Sequence, residues 1–367
     1  MTGRVFVVIL NWNGWRDTVE CLESVWRSRG VGFDVVVCDN ASTDGSVAHI
    51  VDWAAGRERV APDAIPPELA CHVSPPCAKP IACRVTDEAG AAAPAPGAEA
   101  PSAAAPSLTV IRNRANLGFA GGMNVGLRFA LKHAQCEAVW LLNNDTVVAA
   151  DALETLLAKV AADARIGICG STVLYYRAPR TIQAQGGAAL DRWFGVTRHL
   201  GDGQPFSPDA GVAPAEGAMD YVLGASMLVT RAFLEAIGLM AEDYFLYYEE
   251  LDWAMRARGR FTLGYAPASL VWHKEGASIG SSGAPERRSA MSDYYGARSR
   301  LVFMRRFFPW RMPAVYAGMV VSMLKRIGRG QPERASELLR IMLSPASRPP
   351  SATPAHASTE QRLDVDG

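Results

Sequence analysis

Leu141-Leu142-Asn143-Asn144-Asp145-Thr146 closes an apolar run that begins at Val139, and it delivers two amides and a carboxylate to the run's carboxyl end. That is where an open parallel sheet presents its ligands. A lone carboxylate among neutral oxygen donors suits Mg2+ or Mn2+ that also holds substrate phosphates. The competing local reading is an Asx-rich turn that caps the following helix.

Working outward, residues 4–10 form a continuous, largely β-branched run, the pattern of a buried parallel strand. Further strands are expected over 34–38, 108–111, 138–142 and 166–174. Helices are expected over 17–27, where Val19, Leu22, Val25 and Trp26 make one stripe, and over 46–54, 116–133 and 151–162. Four strand–helix repeats in a row imply a single Rossmann-like, doubly wound, mostly parallel α/β sheet. The pattern loosens over 175–219. Beyond it lie a strand-like run over 221–230 interrupted by Gly224-Ala225-Ser226, a short helix at 232–237, a turn into a helix over 244–258, and short strands at 261–266 and 270–272. A basic, aromatic helix over 292–308 and an apolar helix over 313–324 end the ordered pattern. Residues 55–107 are rich in Ala, Pro and Gly and read as a disordered or loosely packed insertion whose excision leaves the fold intact. Cys71, Cys77 and Cys83 lie in it beside His72, but a zinc site wants closer CxxC-type pairs, so free thiols are expected.

Lys+Arg and Asp+Glu both number 37, so no global basic field draws nucleic acid, and no nucleic-acid-binding signature is present. Seven cysteines, an odd number, and an amino terminus that enters a strand directly point to a reducing, cytoplasmic setting. No apolar run has the length of a transmembrane helix.

Two more centres carry chemistry. Asp39 and Asp44 flank the turn after the second strand, placed to bind ribose hydroxyls and a base edge; an Asx turn with a helix cap is the plainer reading. The 116–124 loop, Asn116-Leu117-Gly118-Phe119-Ala120-Gly121-Gly122-Met123-Asn124, opens a helix whose amino end suits an anion or nucleotide. It follows the third strand, whereas a dinucleotide fingerprint follows the first, which argues against NAD. Tyr247-Tyr248-Glu249-Glu250-Leu251-Asp252-Trp253 crowds three carboxylates, one of which should have a raised pKa fit for a general base; an acidic first helical turn is the alternative. His273, at a strand end, can complete a metal site with Asp145, and Lys274 can offset phosphate charge.

In order along the chain, Val8-Ile9-Leu10-Asn11-Trp12-Asn13-Gly14, Val37-Cys38-Asp39-Asn40-Ala41-Ser42-Thr43-Asp44-Gly45, the 116–124 loop, Leu142-Asn143-Asn144-Asp145, Tyr248-Glu249-Glu250-Leu251-Asp252 and His273-Lys274-Glu275-Gly276-Ala277-Ser278 resemble an inverting glycosyltransferase of family 2 with a GT-A fold, and within it the rhamnosyltransferase-like members. The resemblance implies a catalytic domain over 1–285, a C-terminal helical extension over 286–343 and a disordered tail over 344–367. It implies a nucleotide-diphosphate sugar donor, dTDP-, UDP- or GDP-linked, with dTDP-rhamnose suggested by the members that look most alike, and a glycan or lipid-linked glycan acceptor. By position, Asn11, Asn13, Asp39, Asp44, Asn116, Gly118, Gly121, Asn124, Asn143, Asn144 and Arg298 would hold the nucleotide sugar, and Asp145 with His273 would hold Mg2+ or Mn2+. Asn143 stands where many members have the first Asp of a DxD-type motif. Glu250 occupies the base position, usually Asp, with Glu249 beside it and Asp252 as the other candidate. Tyr294, Tyr295 and Arg298 match a Tyr-Tyr-x-x-Arg element. The rival readings are a sugar-1-phosphate nucleotidyltransferase, which would show an early Gly-rich basic loop that Asn11 to Gly14 lacks, and a non-catalytic nucleotide-sugar-binding protein.

At the carboxyl end, Arg305-Arg306-Phe307-Phe308-Pro309-Trp310-Arg311 precedes the apolar 312–324, and Lys325, Arg326 and Arg329 follow. Either a terminal helix packed on the catalytic domain or a peripheral helix at the inner face of the membrane fits this pattern.

Overall fold

The structure, a computed structural model, describes residues 3–59, 65–93, 106–207, 213–275 and 289–344. The chain begins with β1 (Arg4–Asn11), α1 (Trp15–Val25), β2 (Phe33–Asp39) and α2 (Ser46–Ala54). Then come α3 (Ala70–Val73), β3 (Cys83–Asp87), α4 (Glu88–Ala92), β4 (Leu108–Arg112) and α5 (Gly118–Leu131). The middle holds β5 (Cys136–Asn143), β6 (Thr146–Val148), α6 (Ala152–Ala162), β7 (Ile166–Tyr175), β8 (Ala178–Gln185), β9 (Gly187–Asp191), β10 (Val196–His199) and α7 (Ala213–Ala218). It continues with β11 (Tyr221–Val222), β12 (Ser226–Thr230), α8 (Arg231–Ile237), α9 (Glu249–Ala257) and β13 (Thr262–His273). Three helices finish it: α10 (Ala290–Phe307), α11 (Met312–Gly328) and α12 (Pro332–Leu343).

The expected α/β class holds: one large, mostly parallel sheet and a C-terminal helical extension. The sheet runs β3-β4-β2-β1-β5-β12-β7-β13-β6, with β8 on β7. Side chains alternate across it as a strand requires. Val5, Val7 and Ile9 of β1 enter a core shared with α1, α2 and α6, while Phe6 and Val8 enter the opposite core beneath α5, α8 and α9. A third cluster joins α9 to α10, α11, α12 and the small sheet β10-β9-β11. Between β1 and β5 the connection reverses direction, and register sets Asn11 beside Asp39 and Leu10 beside Asn143. The carboxyl ends of β1, β2 and β5 therefore open on one crevice at a topological switch point.

The antiparallel minority of the sheet is β12, between β5 and β7, together with β6 and β8. The stretch from Tyr175, which lacks a clean apolar period, supplies β8, β9 and β10, whose pairing comes from neighbouring strands. One expectation is corrected: the Ala/Pro/Gly-rich segment is not loosely packed over 65–93. There β3 adds a parallel edge strand to β4, and Leu69, Val73 and Ile81 are buried in the main core. Glu23 of α1, buried, accepts from Cys77 N at 2.8 Å, Trp53 Nε1 at 2.8 Å and Lys79 Nζ at 3.3 Å. Few but well-placed apolar residues suffice here because the sheet edge already exists. Excising 65–93 should cost about 5 kcal/mol, at roughly 1.5–3 per buried apolar side chain, and lower the thermal midpoint accordingly; an unchanged midpoint would show the segment to be dispensable. Residues 276–288 and 345–367, with Gly276, Ala277 and Ser278 of the last motif, lie outside the described residues.

Candidate active site

Asp145 sits in the two-residue turn between β5 and β6, buried, with its Oδ1 3.1 Å from His273 Nε2 at the end of β13. The strand that carries His273 pairs with β6, setting His273 opposite Thr146. Thus the two predicted metal residues, 128 positions apart, meet because β13 lies beside the turn. Burial pushes the Asp145 carboxyl up, but the charge and hydrogen bond of His273 and the charge of Lys274 outweigh it, and the group lies below its usual range. Burial lowers and Asp145 raises the His273 imidazole, and the balance is upward. Asn143 Nδ2 lies 3.3 Å from His273 Nε2. Among the described residues no set of three His, Cys, Asp or Glu converges. A carboxylate, an imidazole and an amide fit a divalent cation that completes its shell with phosphate oxygens and water.

Gln183 of β8, buried, faces His273 Nδ1 through its Oε1 at 2.9 Å. This partner fixes the ring's orientation and leaves Nε2 toward Asp145. Sequence reasoning missed it, since β8 carries no motif. Gln183→Leu should weaken Mn2+ binding about 10- to 100-fold, measured by EPR of free Mn2+, with Gln183→Asn retaining part of it; unaltered binding would leave Gln183 a packing residue.

A buried relay ties the metal turn to the second strand. Asn144 Nδ2 donates to Thr18 Oγ1 at 3.1 Å, Thr18 Oγ1 donates to Asn11 Oδ1 at 2.8 Å, and Asn11 Nδ2 donates to Asp39 Oδ1 at 2.7 Å. Asn11 and Thr18 are wholly buried. They act through Asp39, which also accepts from Ser42 N at 3.1 Å. Asn13 takes a positive φ of 50° and accepts from Thr43 N at 2.7 Å, joining the loops after β1 and β2. Asp44 accepts from Ser46 N at 3.0 Å and Ser46 Oγ at 2.5 Å, so the Asx turn weighed for it is present, while the N-cap of α2 is Gly45, with no side-chain cap.

The 116–124 loop departs from expectation. The first N–H groups of α5 are taken: Gly118 N by Asn116 Oδ1 at 3.0 Å, and Phe119 N by Phe245 O at 2.8 Å. Gly118, at φ 72°, has no room for a side chain, because a Cβ would lie 2.2 Å from Phe245 O. Gly121 packs on Leu117, and a Cβ there would stand 2.8 Å from that residue's own Cβ. Asn124 is buried and bonds Met240 O and Glu242 Oε1, at 3.0 and 2.8 Å. The segment's glycines and amides thus dock α5 against 240–245 rather than offer a bare helix end. Arg298 of α10 donates to Asp243 O at 2.9 Å. Lys274, expected to face phosphate, is held by Asp17 at 2.6 Å and by Glu20.

The acidic cluster divides by environment. Tyr247 and Tyr248 adopt φ of 67° and 71°, consecutive left-handed conformations that cost about 1–3 kcal/mol each. Tyr247 Oη···Ser292 Oγ at 2.8 Å and Tyr248 Oη donating to Gly195 O at 2.6 Å hold the turn. The turn drives Glu249 inward, where it is buried with Oε2 lacking a hydrogen-bond partner; burial and neighbouring Glu250 push its carboxyl well up. Glu250, half-buried, lies against Gly224, where a Cβ would stand 2.2 Å from its Oε1. Burial raises Glu250 to about 7 against the opposing pull of backbone N–H groups. The next residue, Ala225, accepts Asn143 N at 3.1 Å, which links the Glu250 side to the metal turn. A glycine breaking a strand pattern was the available signal for this close approach. Asp252, the other base candidate, is wholly buried and bonded by Arg256 Nε at 2.7 Å, Arg306 Nη1 at 2.7 Å and Tyr244 Oη at 3.1 Å, the environment of a structural anchor.

Residues 97–212 match the family model for Glycosyl transferase family 2; the match takes in the 116–124 loop and Asp145 and ends before Glu250 and His273. A curated protein, the low-salt glycan biosynthesis hexosyltransferase Agl10 of Haloferax volcanii, is 27% identical over 153 residues, 39% of this chain and 44% of that protein. The chain therefore spans less than half the length of the curated relative it matches. Among solved structures, the mannosyltransferase PcManGT from Pyrobaculum calidifontis, in complex with GDP-Man and Mn2+, is 15% identical with a TM-score of 0.48, over 94% of this chain and 87% of that one. GalNAc-T7 with UDP, GalNAc and Mn2+ is 16% identical with a TM-score of 0.47, over 74% and 44%.

Proposed function

We propose that this chain is a metal-dependent, inverting glycosyltransferase of family 2 with a GT-A fold, moving a hexose from a nucleotide-diphosphate donor to a hydroxyl of a glycan or lipid-linked glycan. The observation that supports the reading is the buried Asp145–His273 contact at 3.1 Å beside the end of β5, with Glu250 packed on Gly224 and the adjoining Ala225 accepting from Asn143 N at that same strand end. The family match over 97–212 supports it.

In this reading Asp39, steadied by Asn11, binds the nucleoside, with Asn13 and Asp44 on the rim and Asn143 beside the diphosphate. Asp145 and His273 would hold a divalent cation, Mn2+ or Mg2+, which would supply neutralisation of the leaving diphosphate's charge. Glu250 takes the proton of the acceptor hydroxyl, whose oxygen attacks the anomeric carbon opposite the phosphate. Burial and the neighbouring Glu250 push the Glu249 carboxyl well up, which disfavours a second negative charge beside the base. One displacement without a protein nucleophile inverts configuration, through an oxocarbenium-like transition state. Rhamnose from dTDP is the first sugar to try. A lipid-linked acceptor would place the protein at the cytoplasmic face of the membrane.

The test is a donor screen by nucleotide release: dTDP-, UDP- and GDP-sugars with Mn2+, Mg2+ or EDTA. Slow metal-dependent release from one donor is expected. The absence of both release and saturable binding for every donor would sink the proposal.

A further inference from the structure

Between Asp293 and Glu333 the chain carries eight Arg or Lys and no acidic residue, within a protein whose net charge is zero; Arg306 is paired with Asp243 and Asp252 and Arg326 with Asp293. The helix α11 lies in this stretch. Its inner face, Val315 and Met319, is buried against α10 and α12. From Pro313 to Leu324 every exposed position is apolar: Pro313, Ala317, Val320, Val321 and Leu324. This spacing makes one outward stripe. Trp310 precedes it, 69% exposed, and exposed Lys325 and Arg329 follow.

The stripe is continuous with a second element. The turn between β9 and β10 carries Trp193, 61% exposed, and Phe194. The Arg311 guanidinium lies over the Trp193 ring at 4.3 Å, Arg300 Nε donates to Phe194 O at 2.6 Å, and Phe194 packs beside Gly318 of α11. No helix among the described residues is long and apolar enough to cross a membrane.

We infer that the outer face of α11 and the β9–β10 turn form one surface that seats on an anionic lipid bilayer, with the apolar stripe and the tryptophans entering the headgroup boundary and the cations meeting lipid charge. A second copy of the chain is the poorer occupant, because a two-fold contact would set the same cationic stretch against itself. The surface stands independently of the transferase reading, yet it adjoins that site: Gly195, next to Phe194, accepts the Tyr248 hydroxyl one residue before Glu249.

The experiment is co-sedimentation of the full chain with vesicles of phosphatidylcholine alone and of equimolar phosphatidylcholine and phosphatidylglycerol, with light scattering of the protein alone. Binding to the anionic vesicles is expected, weakened by salt, and reduced about tenfold or more by Val321→Asp with Leu324→Asp and, in a second variant, by Trp193→Ser with Trp310→Ser. Both variants should keep the wild-type thermal midpoint, since all four positions are exposed. No binding to either vesicle, binding that both variants retain, or a dimer that Leu324→Asp dissociates would each overturn the inference. Donor release in detergent-free buffer reports separately on the transferase reading, so the two can fail independently.

Discussion

Asp145→Ala is expected to lower metal-dependent nucleotide release by about a thousandfold or more, to the level wild type shows in EDTA. Asp145 supplies the carboxylate of the pair with His273, and neither His273 nor Asn143 can replace its negative charge. The variant should also bind Mn2+ weakly by EPR, separating loss of the ion from loss of the fold. Stability needs its own check. Because the folded Asp145 pKa is depressed, its pairing contributes stability above the unfolded value and loses it as pH falls, so the variant's thermal midpoint should drop most near neutral pH. Kinetics are therefore compared well below that midpoint. Release that survives in Asp145→Ala and remains EDTA-sensitive would remove Asp145 from the chemistry.

Glu250→Gln is expected to keep donor binding while transfer falls by about 10^2- to 10^4-fold, the usual contribution of a positioned base. The wild-type rate should rise with pH as Glu250 ionises, with its half-point near the value of about 7 set by burial, and the variant's residual rate should be flat there. The sign for stability runs the other way from Asp145. A raised carboxyl pKa means that the folded state resists ionisation, so stability is full below the unfolded value and declines as pH rises through about 7. Glu250→Gln removes that penalty and should be no less stable than wild type at pH 8. Full turnover by Glu250→Gln would place the base elsewhere; Asp252, locked between two guanidinium groups, is a poor alternative.

Much of this was legible before any coordinates. Apolar runs ending in amides and carboxylates marked β1, β2 and β5, and their order implied a parallel sheet with its carboxyl edge as the site. Asp145, His273 and Glu250 stand out as candidates in the sequence because each sits at an abrupt change from apolar strand or aromatic turn to polar chemistry. The 65–93 segment was misread, since composition does not register three apolar residues meeting an existing sheet edge. That Asn124 and Asp252 are buried and bonded within the protein was not legible, because a motif position does not say whether a polar side chain faces solvent or the core.

The sequence by itself determined the class of fold, the strands' carboxyl edge and the residue types gathered there, because strand periodicity and turn chemistry are local. Only the tertiary structure decided which of them meet. It brought His273 to Asp145 through β13 pairing with β6, set Gln183 behind the imidazole, joined Asn144 to Asp39 through Thr18 and Asn11, and pressed Glu250 against Gly224. Those contacts depend on strand order, register and burial over long separations, and burial also sets the charge each carboxyl carries, which no local pattern encodes.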